Sequence, residues 1–249
     1  MMLNQAAMSK VSNHRVACVT GGAKRIGRAL VLALHQANYN IIIHYHTSES
    51  EAIELVDYCN AIRPQSAKSV QGDLENFETL PQLTWRIINS FGRLDCLVHN
   101  ASRFYPTPFG QISQQDWQNL FLTNAQTPLF ISQYLYPYLK KSQGCIISIL
   151  DIHANGKPFG GYTVYNMAKA AHQMMVQSLA IELAPDIRVN GIAPGINILP
   201  MEGTEQALTA ETIEKICHAV PLKRIGTPQD IAQVAVFLAA APYITGQII

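Results

Sequence analysis

Residues 15–34 read RVACVTGGAKRIGRALVLAL, and this stretch decides the fold. Arg15 to Thr20 is a short run of apolar and β-branched residues that reads as a strand, Gly21, Gly22 and Gly27 supply a tight turn, and Ile26 to Leu34 has apolar residues at helical spacing. The same unit recurs downstream. Asn40–His44, Ser66–Gln71, Leu94–His99, Gly144–Leu150 and Arg188–Ile192 read as strands. Between and after them, Ser50–Ala61, Leu80–Phe91, Gln114–Leu139, a segment through Tyr165 to about Leu183, and Pro228–Ala239 read as helices. Alternation of this kind predicts an α/β protein of the Rossmann type: a doubly wound parallel sheet in a three-layer α/β/α arrangement, built as one domain.

Composition narrows the partners. The chain has 249 residues, 48% hydrophobic and 14% charged, with a formal net charge of +1, so it can bury a large core and carries no basic excess for nucleic acid or an anionic membrane. A small-molecule partner is expected. Five scattered cysteines without paired spacing suggest neither a disulfide framework nor a metal site, and fit a reducing cytoplasm. No apolar run reaches the roughly 18 residues that a membrane helix needs. Residues 1–13 read as a flexible extension and 14–249 as the domain. Gly195–Thr209, rich in turn and polar residues, reads as a loop over a pocket.

The glycine turn sits where a phosphate belongs. Gly21 and its neighbours let the backbone approach a ligand, and the helix beginning near Ile26 turns its free N–H groups and positive dipole end toward an anion. Lys24 and Arg25 add charge there; the alternative is an ordinary glycine-rich turn with surface basic residues. At the end of the second strand, where a carboxylate would accept the ribose hydroxyl of NAD, the chain has His44-Tyr45-His46-Thr47-Ser48. With Lys24 or Arg25, donors from His44, His46 and Ser48 favour NADP, while Glu49 and Glu51 leave a ribose contact open. Asp73-Leu74 and Asn100-Ala101-Ser102 follow two further strands and face the same crevice. Asp73 is read either as an acceptor for the adenine amine or as a helix N-cap with Leu74 packed inward.

Tyr165 and Lys169 lie four residues apart on one helix face. Free tyrosine has a pKa near 10, so acid–base work near neutrality asks for a shift of about 3 units, or roughly 4 kcal/mol. An ammonium about 4 Å away at an effective dielectric near 20 supplies about that much. Tyr162 competes for the role, but it precedes Lys169 by seven residues and is read as pocket wall.

These motifs, TGGAKRIG, NAS, Asn124, YNMAK and RVNGIAPG, resemble the short-chain dehydrogenase/reductase family over essentially the whole chain. The resemblance implies that Tyr165 is the proton donor, that Lys169 binds ribose and lowers the tyrosine pKa, that Asn124 supports a relay water and that Pro194-Gly195 flank the nicotinamide. The usual catalytic serine position, thirteen residues before the tyrosine, holds Ile152. NASRFYPTPF (100–109), DIHA (151–154), Arg25 and PLKRIGTPQDIA (221–232) resemble the pteridine reductase branch, which has an aspartate near that position. Asp151 stands fourteen residues before Tyr165, so the 155–157 turn is expected to absorb one extra residue. A pterin offers ring donors and an amine that a carboxylate accepts, which gives Asp151 a role beside Tyr165. Phe104 would supply a flat face, with Ser102, Arg25 and Tyr162 as polar contacts.

The resemblance thus implies NADP(H)-dependent reduction of dihydropterins by a homotetramer or dimer. A generic carbonyl or 3-oxoacyl-thioester reductase and a non-catalytic NADP-binding regulator are the alternatives. Thr47 stands where the branch has an arginine, which weakens the expected phosphate grip. The C-terminal tail is expected to be truncated relative to the family.

Overall fold

The computed structural model describes residues 13–197 and 209–249. The expected extension, apart from Asn13, and most of the expected 195–209 loop lie outside the described residues. β1 (Val16–Val19), β2 (Asn40–Tyr45), β3 (Ala67–Gln71), β4 (Cys96–His99), β5 (Cys145–Ile149) and β6 (Arg188–Ile192) form one sheet in the order β3-β2-β1-β4-β5-β6. Its strand pairings are parallel, with Cys18 between Ile42 and Leu97 and with His99 opposite Ser148. Strand order reverses beside β1, which opens a crevice at the carboxyl ends of β1 and β4. Residues 247–249 run along β6, where Gly191 N–H donates to Gln247 O at 2.8 Å and Ala193 N–H to Ile249 O at 2.7 Å.

The sheet is apolar on both faces because helices cover both. β1 is completely buried, as expected of a central strand in a parallel sheet. Ala17, Val19, Ile41 and Ile43 pack with α1 (Arg25–Gln36), α2 (Glu49–Ile62) and α8 (Pro228–Ala240). Val16, Cys18, Ile42 and Leu97 face the other way, against α3 (Leu80–Phe91), α5 (Thr127–Ser142) and α6 (Thr163–Glu182). Alternation along each strand therefore divides one chain into two cores.

The predicted 114–139 helix is a longer rod with a defect. α4 (Gln114–Phe121) passes through a π turn at Leu122–Gln126 into α5. Pro128 lies in the first turn of α5 and has no N–H, so the carbonyl of Asn124, four residues earlier, lacks its ordinary helical donor. Wider i→i−5 pairing follows there, Thr127 N–H donating to Leu122 O. α7 (Ala210–Ala219) was not expected from the sequence; Thr209 caps it by accepting from Thr212 N–H at 3.2 Å.

The closest backbone approach is at the glycine turn. A Cβ on Gly27 would lie 2.1 Å from the Gly21 carbonyl oxygen, a clash with main chain rather than with a movable side chain. Gly27→Ala is expected to cost at least about 2 kcal/mol of stability, read as a lowered chemical denaturation midpoint. An unchanged midpoint would show that the turn does not need this contact.

Candidate active site

Thr20 and Asn100 build the crevice. Asn100 N–H donates to Thr20 Oγ1 at 2.9 Å, and its amide Nδ2 donates to the carbonyls of Thr20 (2.9 Å) and Gly21 (3.0 Å). Ala101 N–H adds a bond to Thr20 Oγ1 at 3.1 Å. Gly21 has φ +59°, and a Cβ there would meet Ala101 Cα at 3.2 Å, so β1 and β4 end in mutual backbone contact. α1 begins with no side-chain cap and no acidic residue in its first turn. Its first N–H groups are therefore not taken by the protein's own carboxylates, which suits the phosphate of a dinucleotide. Arg25 opens that helix, exposed and at φ +51°, where a non-glycine residue costs roughly 1–2 kcal/mol. Ile26 is half-buried behind it.

The second-strand end differs from expectation. His44 is buried and serves the fold: Gly21 N–H donates to its Nδ1 at 3.2 Å, and Nε2 lies 3.1 Å from Gly72 O. These partners fix the tautomer with the proton on Nε2, since Nδ1 must accept. Burial pushes the ring pKa down to about 4, against a smaller upward pull from the Gly72 carbonyl. His44 is thus a neutral clasp and not a phosphate donor. Lys24 does reach this region, but its ammonium is 2.5 Å from Glu51 Oε1. His46 is exposed, with Nε2 3.9 Å from Asp73 Oδ2, and Ser48 stands half-buried at the start of α2 without a side-chain capping bond. Asp73 Oδ1 accepts from Glu75 N–H at 2.9 Å, the local turn-capping role, while Leu74 is buried.

At the end of β5, Asp151 has two partners. Oδ1 accepts from His153 N–H at 2.9 Å, capping a short 3₁₀ turn (Ile152–Ala154), and Oδ2 accepts from the Tyr165 hydroxyl at 2.7 Å. The fourteen-residue spacing therefore still brings carboxylate and phenol together. Tyr165 and Lys169 are almost fully buried on α6. The lysine Nζ donates to Ile149 O at 3.0 Å and lies 5.8 Å from the Tyr165 ring centroid. Burial, and then the Asp151 carboxylate in hydrogen-bond contact, hold the phenol above its ordinary range, the opposite direction to the lowering expected from Lys169. Burial brings the lysine pKa down to about 8, with Asp151 opposing. Tyr165 is thus held protonated, and Lys169 titrates close to neutrality.

The facing wall comes from residues after Asn100. Phe104 stacks on Tyr162 at 4.5 Å between centroids with a 12° interplanar angle, and meets Tyr165 edge-on at 4.8 Å. One face of Phe104 is therefore covered by Tyr162. The Ser102 hydroxyl donates to Asn124 Oδ1 at 2.6 Å, which makes it a brace for the π turn. Asn124 is buried, its Nδ2 donating to Arg103 O and Leu120 O. Pro194 O accepts from Ile152 N–H at 3.2 Å, and Gly195 follows, exposed. Sequence reading missed Thr20, the Lys24–Glu51 pair and His172. Positions 165, 169 and 172 share a helical face, which is the signal that marks His172.

Fold and site together define a dinucleotide-dependent oxidoreductase. A family model described as enoyl-(acyl carrier protein) reductase matches residues 21–249. Pteridine reductase 1 of Leishmania tarentolae is 35% identical over 93% of this chain and 92% of its own. The 3-oxoacyl-[acyl-carrier-protein] reductase FabG of Staphylococcus epidermidis is 31% identical over 95% and 96%, and the uncharacterized oxidoreductase YmfI of Bacillus subtilis 32% over 95% and 96%. The chain belongs to the short-chain dehydrogenase/reductase family, whose oxidoreductases use NAD(P)H. No helix among the described residues is long and apolar enough to cross a membrane.

Acid should loosen the clasp. The folded His44 pKa of about 4 lies below the model-compound value of 6.5, so the unfolded chain takes up a proton first as pH falls. Its contribution, about 3 kcal/mol at one pKa unit per 1.36 kcal/mol, is present above pH 6.5 and is lost between pH 6.5 and 4. His99, pushed by burial to about 3, extends the same loss to lower pH. Urea unfolding at pH 7 and pH 4.5 should show the drop, and His44→Gln should flatten it by about one proton. An equal slope in that variant would exclude His44 as the source.

Proposed function

We propose that this chain is an NADPH-dependent pteridine reductase acting on dihydropterins such as dihydrobiopterin or dihydromonapterin, with dihydrofolate as a further substrate. The observation that carries this reading is the 2.7 Å bond between Tyr165 and Asp151 at the end of β5. Reduction of a ring imine adds a hydride to carbon and a proton to nitrogen; the nicotinamide supplies the hydride when bound. The buried, protonated phenol of Tyr165 donates the proton. Asp151 holds that phenol and presents acceptor capacity to the amine and ring N–H of a pterin. Phe104, with Tyr162 and Arg25, forms the aromatic and polar wall, and Lys169 holds ribose while Asn124 braces the floor.

NADPH is the preferred cofactor in this reading, with Lys24 and Arg25 holding its additional phosphate near the end of β2, Gly21, Ile26 and Ala101 lining the rest of the dinucleotide, and Pro194 and Gly195 flanking the nicotinamide. Glu51 opposes that preference through its contact with Lys24. A homotetramer or dimer would cover the exposed Leu129, Met174 and Ile181 of α5 and α6, and the free cysteines suit a reducing cytoplasm. A second reading, a carbonyl or 3-oxoacyl-thioester reductase, has the support of the FabG similarity.

Tyr165→Phe should lower turnover by about a hundredfold or more while NADPH still binds; full turnover would remove the tyrosine from the mechanism. A panel of dihydrobiopterin, dihydromonapterin, dihydrofolate and an acetoacetyl thioester separates the two readings, and Asp151→Ser should reduce pterin turnover more than thioester turnover. Brisk thioester reduction without pterin turnover would reverse the assignment. Glu51→Gln should strengthen NADPH binding by up to about fivefold, as expected for an exposed ion pair, and leave NADH binding unchanged. Equal shifts for both cofactors would place the phosphate elsewhere.

A further inference from the structure

The helix that carries Tyr165 and Lys169 does not cap its own start. α6 begins at Thr163, the preceding Tyr162 supplies no side-chain capping bond, and no acidic residue lies in the first turn. The first main-chain N–H groups of a helix have no partner within it, so the start of α6 draws on its surroundings. Val164, its second residue, is buried, and the N–H at that position is one that a capping side chain ordinarily takes. Here the acceptor comes from another segment: Val164 N–H donates to Thr107 Oγ1 at 3.3 Å, across 57 residues of chain.

The sequence around Thr107 suits it to that task. It stands in Tyr105-Pro106-Thr107-Pro108. Pro106 has a fixed φ, and Pro108 holds the residue before it to extended backbone. Neither proline has an N–H, and Thr107 uses its own: it donates to Gly161 O at 2.7 Å, and Thr107 forms a parallel bridge with Tyr162. The residue is almost fully buried. A stiff segment thus grips the start of α6 by main chain and side chain together. That segment follows directly on Phe104, whose ring stacks on Tyr162 and meets Tyr165 edge-on, and Tyr165 follows directly on Val164. From a second loop, Phe159 O accepts from Asn166 Nδ2 at 2.9 Å, so the first turn of α6 is held on two sides.

We propose that Thr107 is a positioning residue of the reductase centre: its hydroxyl caps α6 from the facing wall and thereby sets the Tyr165 phenol against Asp151 and Phe104. The inference rests on the role given above to Tyr165, and it assigns Thr107 no contact with substrate or cofactor. Loss of the hydroxyl frees the first turn of the helix, which bears the phenol. Lys169 stands one turn further on, where its ammonium donates to Ile149 O at 3.0 Å, and it keeps that anchor. Tyrosine and lysine therefore respond differently to the change, which a general loss of stability would not produce.

Thr107→Val keeps the branched shape and removes the oxygen. With 3-fluorotyrosine in the full chain, the Tyr165 ¹⁹F resonance is assigned by its loss in Tyr165→Phe. It should shift or broaden in Thr107→Val and return in Thr107→Ser, while the resonance of Tyr45 on β2 stays in place. For the substrate of the panel above that the chain reduces, kcat should fall about fivefold in Thr107→Val, the equivalent of one helix cap, and recover in Thr107→Ser. The dissociation constant of the reduced nicotinamide cofactor should stay within about twofold. An unmoved Tyr165 resonance, an unchanged kcat or no recovery in Thr107→Ser would overturn the proposal. So would a loss of cofactor binding equal to the loss of kcat, the mark of general destabilisation. Should Thr107→Val not fold, hydrogen exchange in the native chain decides: Val164 N–H should exchange at least about tenfold more slowly than Thr163 N–H, and equal rates would count against the cap. Absence of pterin turnover in the native chain would remove the substrate assignment alone, because the fluorine signal needs no substrate.

Discussion

The side chain and main chain of Asn100 close on Thr20 and Gly21 through three hydrogen bonds of 2.9–3.0 Å, and most of the site inherits its position from that contact. It joins the ends of two central strands at the point where the sheet changes direction. Gly27 then packs against the same Gly21 carbonyl, which sets α1 at the mouth of the crevice. Phe104 and Ser102 follow Asn100 by only a few residues, so the aromatic wall is anchored by the same residue as the glycine turn. Misplacing one strand end would move both.

The chemistry at the other end of the crevice is a contest between burial and charge. A nearby ammonium would favour the phenolate, but Tyr165 is almost fully buried and has a carboxylate at 2.7 Å. Both effects favour the neutral phenol, and Lys169 answers them from farther away, with a carbonyl partner of its own. The arrangement therefore holds Tyr165 as a neutral phenol. Asp151 works on both sides of this arrangement, capping the turn that follows β5 with one oxygen and holding the phenol with the other.

Much of this was legible in the chain itself. The alternation of apolar strands with helical spacing predicts the sheet and its layers, and Leu80–Phe91 and Arg188–Ile192 lie where periodicity puts them. Membership of the family follows from motifs that keep their order. What sequence could not supply was the use made of each polar group. His44 carries the residue type of a phosphate ligand, yet its two nitrogens are taken by backbone 23 and 28 residues away. Ser102 likewise meets Asn124 across 22 residues. α7 escaped because its apolar positions, Ile213, Ile216 and Cys217, are few and adjoin a polar stretch. The π turn inside the expected 114–139 helix also went unread, although Pro128 lacks the N–H that the Asn124 carbonyl would take in a regular helix.

His44 also bears on which residues the position can tolerate. As a fastener it has polarity, since one end must receive a proton from the Gly21 N–H while the other must offer one to the Gly72 carbonyl. Lysine and arginine only offer, and ionised carboxylates only receive. Among neutral side chains, the amides share the double character, but from a single carbon rather than from opposite corners of a rigid ring. A position beside the glycine turn is thereby closed to basic residues.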